Sequence, residues 1–200
     1  MASEMTSFVK VKKANKEVYK KLKEIFTPSE GQYDVNSIEL INRIWGTNYS
    51  YESENEKWDK DKDWPSNEEW ENKIGPKWVN GEEFYMDEED EEASFILRAA
   101  YSVPQVLLEK IAKILSEIKE DCYLVGNYEH EDYDPVGAFI YANDYDDIED
   151  LDHAYDSEDL WEEDELRDQM WGENTELEND IENAYFEYLE DRKNNPQDYE

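Results

Sequence analysis

Acids outnumber bases by 55 to 20 in this 200-residue chain, and the resulting net charge of −35 decides whether a core can form at all. A segment that charged stays disordered when it has too little apolar surface to bury. A folded domain can instead carry the charge as a field that repels nucleic acid and attracts basic surfaces. The seven Trp, fifteen Tyr and six Phe separate the two cases, because disordered acidic tails are poor in aromatics. The chain reads as a folded acidic protein.

The charge is unevenly placed. Residues 1–27 hold seven Lys against three Glu, whereas residues 141–200 hold 24 acids against three bases. The length fits one domain with an appendage, or two small ones. No run of about 18 apolar residues exists, and the start Met-Ala-Ser-Glu-Met has no hydrophobic signal core, so the expected location is the cytoplasm of the host cell. The single cysteine, Cys122, excludes an internal disulfide and suits a reducing compartment. It stands in an apolar strand pattern beside Glu120 and Asp121, anions that raise a thiol's pKa, and is expected as a small core residue rather than a nucleophile.

Periodicity divides the chain into elements. Thr6 to Lys12 alternates as a short strand. Asn15 caps a helix through Val18, Leu22, Ile25 and Phe26, which Thr27-Pro28 stops, with lysines spread over its outer face. Asn36 and Glu39 read as a capping box ahead of Ile38, Ile41, Ile44 and Trp45, with Gly46 as terminator. Residues 47–92 form a Trp-rich insertion (Trp58, Trp64, Trp70, Trp78) with turn signals at Pro65, Gly75-Pro76 and Asn80-Gly81, and several of its Trp are expected to cover the core. Phe95 to Tyr101 has strand spacing; Ser102, Pro104 and Gln105 then read as a helix start, followed by an apolar stripe from Val103 to Ile118. Cys122 to Tyr128 and Val136 to Ala142 are two further strands. The predicted fold is α+β: a β-α-β-α-β-β core over residues 1–142 with its insertion at 47–92, followed by an acidic helical extension over 143–200. In that extension Ser157 caps a short helix through Leu160, Trp161, Leu166 and Met170. Thr175 and Glu178 form the capping box of a last helix, with Leu177, Ile181, Ala184, Tyr185 and Tyr188 on its apolar face.

Two fragments carry a family resemblance. Phe-Ile-Leu-Arg-Ala-Ala-Tyr-Ser-Val-Pro, from Phe95 to Pro104, resembles the Phe-x-Thr-Ala-Trp-Ser-Pro-Pro signature of the YubB-type ferredoxin-like proteins of plasmids and phages. Trp70-Glu-Asn-Lys-Ile-Gly-Pro-Lys-Trp78 is similar to that family's Asn-Trp-Gly-Thr-Lys-Trp element, and Tyr128 with Val136-Gly-Ala-Phe139 resembles its closing strands. Ala99, Tyr101, Val103 and Pro76 stand where the family has Thr, Trp, Pro and Thr. The resemblance covers about residues 70–142. It implies a ferredoxin-like fold and a mobile-element origin, and transfers no catalytic residue.

Catalysis has little to work with. Only His130 and His153 could serve a nucleophilic triad, and no Gly-x-Ser-x-Gly, phosphate-cradling glycine loop or His-Glu-x-x-His occurs, so the chain is read as a non-enzyme without a cofactor. His130, Glu131, Asp132 and Asp134 form a short-range acidic loop that reads as solvated rather than metal-binding. Asp144 and Asp146 fit the first two ligand positions of a calcium loop, but Ile148 breaks the third and Glu149 replaces its glycine. Direct nucleic-acid binding is disfavoured, because phosphate contacts need Lys and Arg; the N-terminal lysines are expected to balance the acidic remainder.

The charge itself is then the expected functional surface. Duplex DNA presents about one charge per 1.7 Å of axis, and carboxylates on successive helical turns approximate such a row. The expectation is a DNA-mimic-like phage or plasmid inhibitor that binds the basic nucleic-acid cleft of a host defence protein or nuclease. An immunity protein against a nuclease toxin, or a divalent-metal-binding acidic protein, are the alternatives. The expected contacts are Asp144, Asp146, Asp147, Glu149, Asp150, Asp152, Asp156, Glu158, Asp159, Glu162, Glu163 and Asp164, with Trp161 as anchor. Tyr145, Tyr155, Trp171, Tyr185 and Tyr188 are further aromatic candidates.

Overall fold

A computed structural model of the chain describes residues 3–49, 65–87, 92–151, 160 and 164–199. The chain begins with a strand, β1 (Glu4–Lys12), whose alternate residues are buried, as its pattern predicts. Three helices follow: α1 (Lys16–Phe26), α2 (Ser37–Trp45) and α3 (Asn67–Lys73). Then come β2 (Val79–Asp87), β3 (Glu92–Ala100), α4 (Gln105–Ile118), β4 (Tyr123–His130), β5 (Val136–Tyr141), β6 (Asp146–Asp150) and the long α5 (Asp164–Asn194), with a short 3-10 turn at Pro196–Asp198. The six strands make one sheet in the order β2-β3-β1-β4-β5-β6, and every pairing is antiparallel. The fold is α+β.

Local signals behave as the sequence implies where backbone chemistry alone decides. Asn15 accepts from the amides of Glu17 and Val18 at the start of α1, and α1 ends at Phe26, before Thr27-Pro28. Asn36 likewise receives the amides of Ile38 and Glu39, while Gly46 closes α2 at φ 70°, a left-handed conformation that costs glycine nothing.

One face of the sheet is buried under α1, α2 and α4, and the other is buried over β4 and β5. Val9, Val11, Phe95, Leu97, Leu124 and Phe139 point to one side, where they meet Val18, Leu22 and Ile25 of α1, Leu40 and Ile41 of α2, and Leu107, Ile111 and Leu115 of α4. The other side carries Tyr123, Val125, Ala138 and Ile140, covered by Ile181 and Tyr185 of α5. Cys122 is buried in the first core, as expected, and its thiol is pushed up to about 12 chiefly by desolvation. Trp45 and Trp70 pack partly buried against that core, and the Trp70 indole donates to the Pro76 carbonyl at 2.8 Å; Trp58 and Trp64 lie outside the described residues.

Several readings change. Residues 79–87, assigned to the insertion, form the sheet's edge strand β2; polar residues and a bulge between Glu82 and Tyr85 break the alternation that marks a strand. Residues 146–150, assigned to a helical extension, form β6 at the opposite edge. Four of its five residues are acids, which the pattern does not mark as a strand, but half-buried Ile148 pairs with Phe139 and packs on the first core. Ser102 is not a cap: α4 begins after Pro104 with no side-chain cap bond. Tyr101 leaves the strand with φ 68° and is 57% exposed.

The C-terminal helix changes most. Residues 164–194 form one helix rather than two, and Thr175 stands in its interior, donating its hydroxyl to the Trp171 carbonyl instead of capping. Ala184 is exposed; the inward face is Met170, Asn174, Glu178, Ile181 and Tyr185. Ser157, proposed as a cap, lies outside the described residues.

Candidate partner-binding surface

β6 and α5 position the acids. The hydrophobic stripe of α5 requires it to lie on the sheet, and this fixes which carboxylates turn outward. Glu176, Asp180, Glu187 and Glu190 are exposed along the helix, with Asp168 toward its start and Asp191 near its end. Eleven of the 31 residues of α5 are acidic against Arg167, Arg192 and Lys193. Asp164 and Glu165 occupy the first turn and Arg192 and Lys193 the last, each at the end the helix dipole favours.

Of the expected contacts, Asp146, Asp147, Glu149 and Asp150 lie on β6, Asp144 in the turn before it, and Asp164 at the start of α5. A strand sends alternate side chains to opposite faces, so Asp146 and Asp150 share the side of Ile148, while Asp147 and Glu149 share the side that α5 covers. These acids therefore do not form one row along β6. Glu149 and Asp150 instead line a groove with Glu173, Glu176 and Asp180 of α5. Asp152, Asp156, Glu158, Asp159, Trp161, Glu162 and Glu163 lie outside the described residues, as do His153 and Tyr155.

Some acids are spoken for within the fold. Asp150 accepts the Tyr128 hydroxyl, and beside this pair β5 and β6 lie so close that a Cβ on Gly137 would meet the Glu149 carbonyl at 2.1 Å and the Tyr128 hydroxyl at 2.4 Å. Glu182 accepts the Tyr123 hydroxyl at 2.6 Å. Burial, reinforced by these carboxylates, raises both phenols well above the ordinary tyrosine range, so they remain donors. Asp164 pairs with Arg167 at 2.5 Å. Asp144 receives the Arg192 guanidinium at 2.8 Å, and the Tyr188 hydroxyl donates to the Asp144 carbonyl at 3.3 Å.

The aromatic candidates divide in the same way. Tyr185 is 6% exposed and packs on Tyr123 with ring centroids 5.2 Å apart, so it is core rather than anchor. Tyr145 and Tyr188 are half-buried beside it, whereas Trp171 remains 45% exposed, resting against Phe8 at 5.9 Å. Together Tyr145, Tyr185 and Tyr188 form the floor of an open cleft of ≈ 510 Å³ between the β5–β6 turn and the end of α5. Asp121, Asp144 and Arg192 stand around it.

One group at the base of this surface escaped sequence reasoning. Glu178, read as a cap partner, is 5% exposed and binds the Lys10 ammonium of β1 and the Asn127 side chain of β4, the latter at 2.9 Å. Its helical position in line with Met170, Asn174 and Ile181 was the available signal. The N-terminal strand lysines do offset acids elsewhere: Lys12 pairs with Glu92, and Lys13 lies 3.8 Å from Asp121. Within α1, Lys21 pairs with Glu24 at 3.5 Å. Lys16, Lys20 and Lys23 are exposed on its outer face.

His130 ends β4, where its ring Nδ1 accepts the Asp132 amide at 3.2 Å. Among the described residues no three His, Cys, Asp or Glu side chains are grouped to hold a metal ion, and no helix is long and apolar enough to cross a membrane. No protein-family model, curated protein or solved structure matches the chain.

Proposed function

We propose that this protein is an acidic inhibitor that occupies the basic nucleic-acid cleft of another protein, with α5 and the β6 edge as its contact surface. The observation that carries the proposal is the docking of α5: its apolar face is spent on the sheet, so its carboxylates are held outward on a rigid rod rather than on a flexible tail. At about 1.5 Å per residue the helix is about 46 Å long. Leaving out buried Glu178 and Glu182, which accepts the Tyr123 hydroxyl, nine carboxylates remain, about one per 5 Å of axis against one phosphate per 3.4 Å on a single strand of duplex DNA. That is about two-thirds of the density of one strand, to which the β6 acids add.

The partner reading, a host defence protein or nuclease met by a phage- or plasmid-encoded inhibitor in the host cytoplasm, rests on the YubB-type resemblance. Its ferredoxin-like implication is supported by the order β2-β3-β1-β4, with helices between β1 and β2 and between β3 and β4. In this reading β5 and β6 extend the core, and binding rather than chemistry is the activity. Opposite charges accelerate encounter and make affinity fall with salt.

The test is capture of partners from a host lysate in 0.15 M salt, followed by competition with duplex DNA. A basic nucleic-acid-binding partner that releases DNA when the protein binds is the expected result. Changing Glu176, Asp180, Glu187 and Glu190 together to Gln should weaken that competition at least tenfold. A partner that binds DNA and this protein simultaneously, or undiminished competition by the quadruple variant, would show that the acids serve solubility and edge protection instead.

A further inference from the structure

We propose that the cleft between the β5–β6 turn and the last turns of α5 is a receptor for an arginine side chain, and that the chain's own Arg192 is its placeholder. This deepens the function proposed above and rests on it for the source of the ligand: a protein that grips phosphates presents arginines, whose planar fork suits both carboxylates and aromatic faces.

Three features point to a guanidinium. The floor is aromatic: Tyr145 lies 5.3 Å from Tyr185 and 4.9 Å from Tyr188, with 6.5 Å between Tyr185 and Tyr188. Rings that close leave no room between them, so a cation must stack on the outer face of the cluster, where aromatic quadrupoles attract it. The rim carries a small excess of acids: beside Glu120, Arg192 and Lys193 stand the carboxylates of Asp121 and Asp144. Both carboxylates act on the Tyr185 phenol, which burial and then Asp121 hold above the ordinary tyrosine range.

The third feature is Arg192 itself. Its guanidinium donates to the Asp144 carboxylate at 2.8 Å and reaches the Tyr188 hydroxyl at 3.5 Å, so the polar contacts an incoming arginine would make are already made by a guanidinium. The Arg192 and Asp144 side chains are 42% and 50% exposed, and an ion pair in that setting contributes little to stability, so exchanging it is inexpensive. The ≈ 510 Å³ of the cleft is open with Arg192 in place, which gives a second side chain room to enter before the first leaves.

The experiment uses the full-length protein, with N-acetyl-arginine amide and N-acetyl-lysine amide as probes, read by tyrosine-ring NMR shifts in 0.15 M NaCl. The expected result is saturable shifts at Tyr145 and Tyr188 with the arginine probe and weaker ones with lysine. Arg192→Gln vacates Asp144 and should tighten arginine binding about fivefold, the change that removing a weak exposed competitor produces. Arg167→Gln makes the same charge change on the same helix away from the cleft and should leave affinity within twofold. Asp144→Asn should abolish saturation. Equal, unsaturable shifts with both probes, or Arg192→Gln behaving like Arg167→Gln, would overturn the proposal. Because the probes are small molecules, the receptor stands or falls independently of whether a DNA-competing partner is captured.

Discussion

Replacing Lys10 by Met tests how α5 is held on the sheet. The Lys10 ammonium is the charged partner of Glu178, whose side chain is 7% exposed while that of Lys10 is 41% exposed. Breaking a fully buried pair by removing one partner costs about 3–5 kcal/mol, whereas an exposed pair is worth about 0–1 kcal/mol. With one member buried and the other half in water, Lys10→Met falls between these limits, at about 2 kcal/mol. The Glu178 carboxylate would keep only the 2.9 Å bond from Asn127. In a domain of this size about 2 kcal/mol lowers the melting midpoint by about 4–8 °C. Glu178→Gln removes the charge and keeps an acceptor for Asn127, so the double variant should be more stable than the sum of the two losses implies. Thermal melts followed by far-UV circular dichroism on the wild type, both single variants and the double variant give the coupling, expected at about 1–2 kcal/mol. Single-variant losses that add to within about 0.5 kcal/mol would refute the reasoning, since residues in direct contact must couple.

Three further outcomes follow from particular contacts. Thr175→Ala should leave the melting midpoint unchanged or slightly raised, because Thr175 is inside α5; a loss of about 1 kcal/mol, the worth of a cap, would mean the helix starts there. Gly137→Ala should destabilise by more than about 2 kcal/mol in urea titration, because the new Cβ meets the backbone oxygen of Glu149 at 2.1 Å; an unchanged midpoint would contradict the β5–β6 register. Cys122 should resist a thiol reagent at pH 8 until the protein is unfolded. Its folded pKa lies above the unfolded one, so its contribution to stability is complete below about pH 9 and is lost as pH rises toward the folded value of about 12. Urea midpoints should therefore fall above about pH 9, and Cys122→Ala should fall less steeply; parallel curves for the two proteins would remove the thiol from the explanation.

The candidate surface was legible as charge and illegible as geometry. Counting acids after residue 141 identifies the region, and the spacing of Leu177, Ile181, Tyr185 and Tyr188 shows that a helix there must dock. Which acids face outward depends on what the helix docks against. Glu178 looks like a surface or cap residue until Lys10, 168 positions away in the chain, is brought beneath it. Asp146 to Asp150 looks like a solvated run until Ile148 is paired with Phe139 and Asp150 with the Tyr128 hydroxyl.

What the amino-acid order determined alone is what needs only near neighbours. Asn15 and Asn36 satisfy helix amides two and three residues away, Pro28 blocks continuation of α1, and alternation in β1 and β3 selects their buried faces. The charge of −35 is likewise a property of composition. Tertiary structure decided the rest: that polar β2 and acidic β6 become edge strands, that Thr175 lies within one 31-residue helix, and that Glu178 is buried. In each of these cases intrinsic preference is weak or contrary. The free energy that settles the matter comes from pairing and burial against residues distant in the chain, and that information exists only once the sheet has assembled.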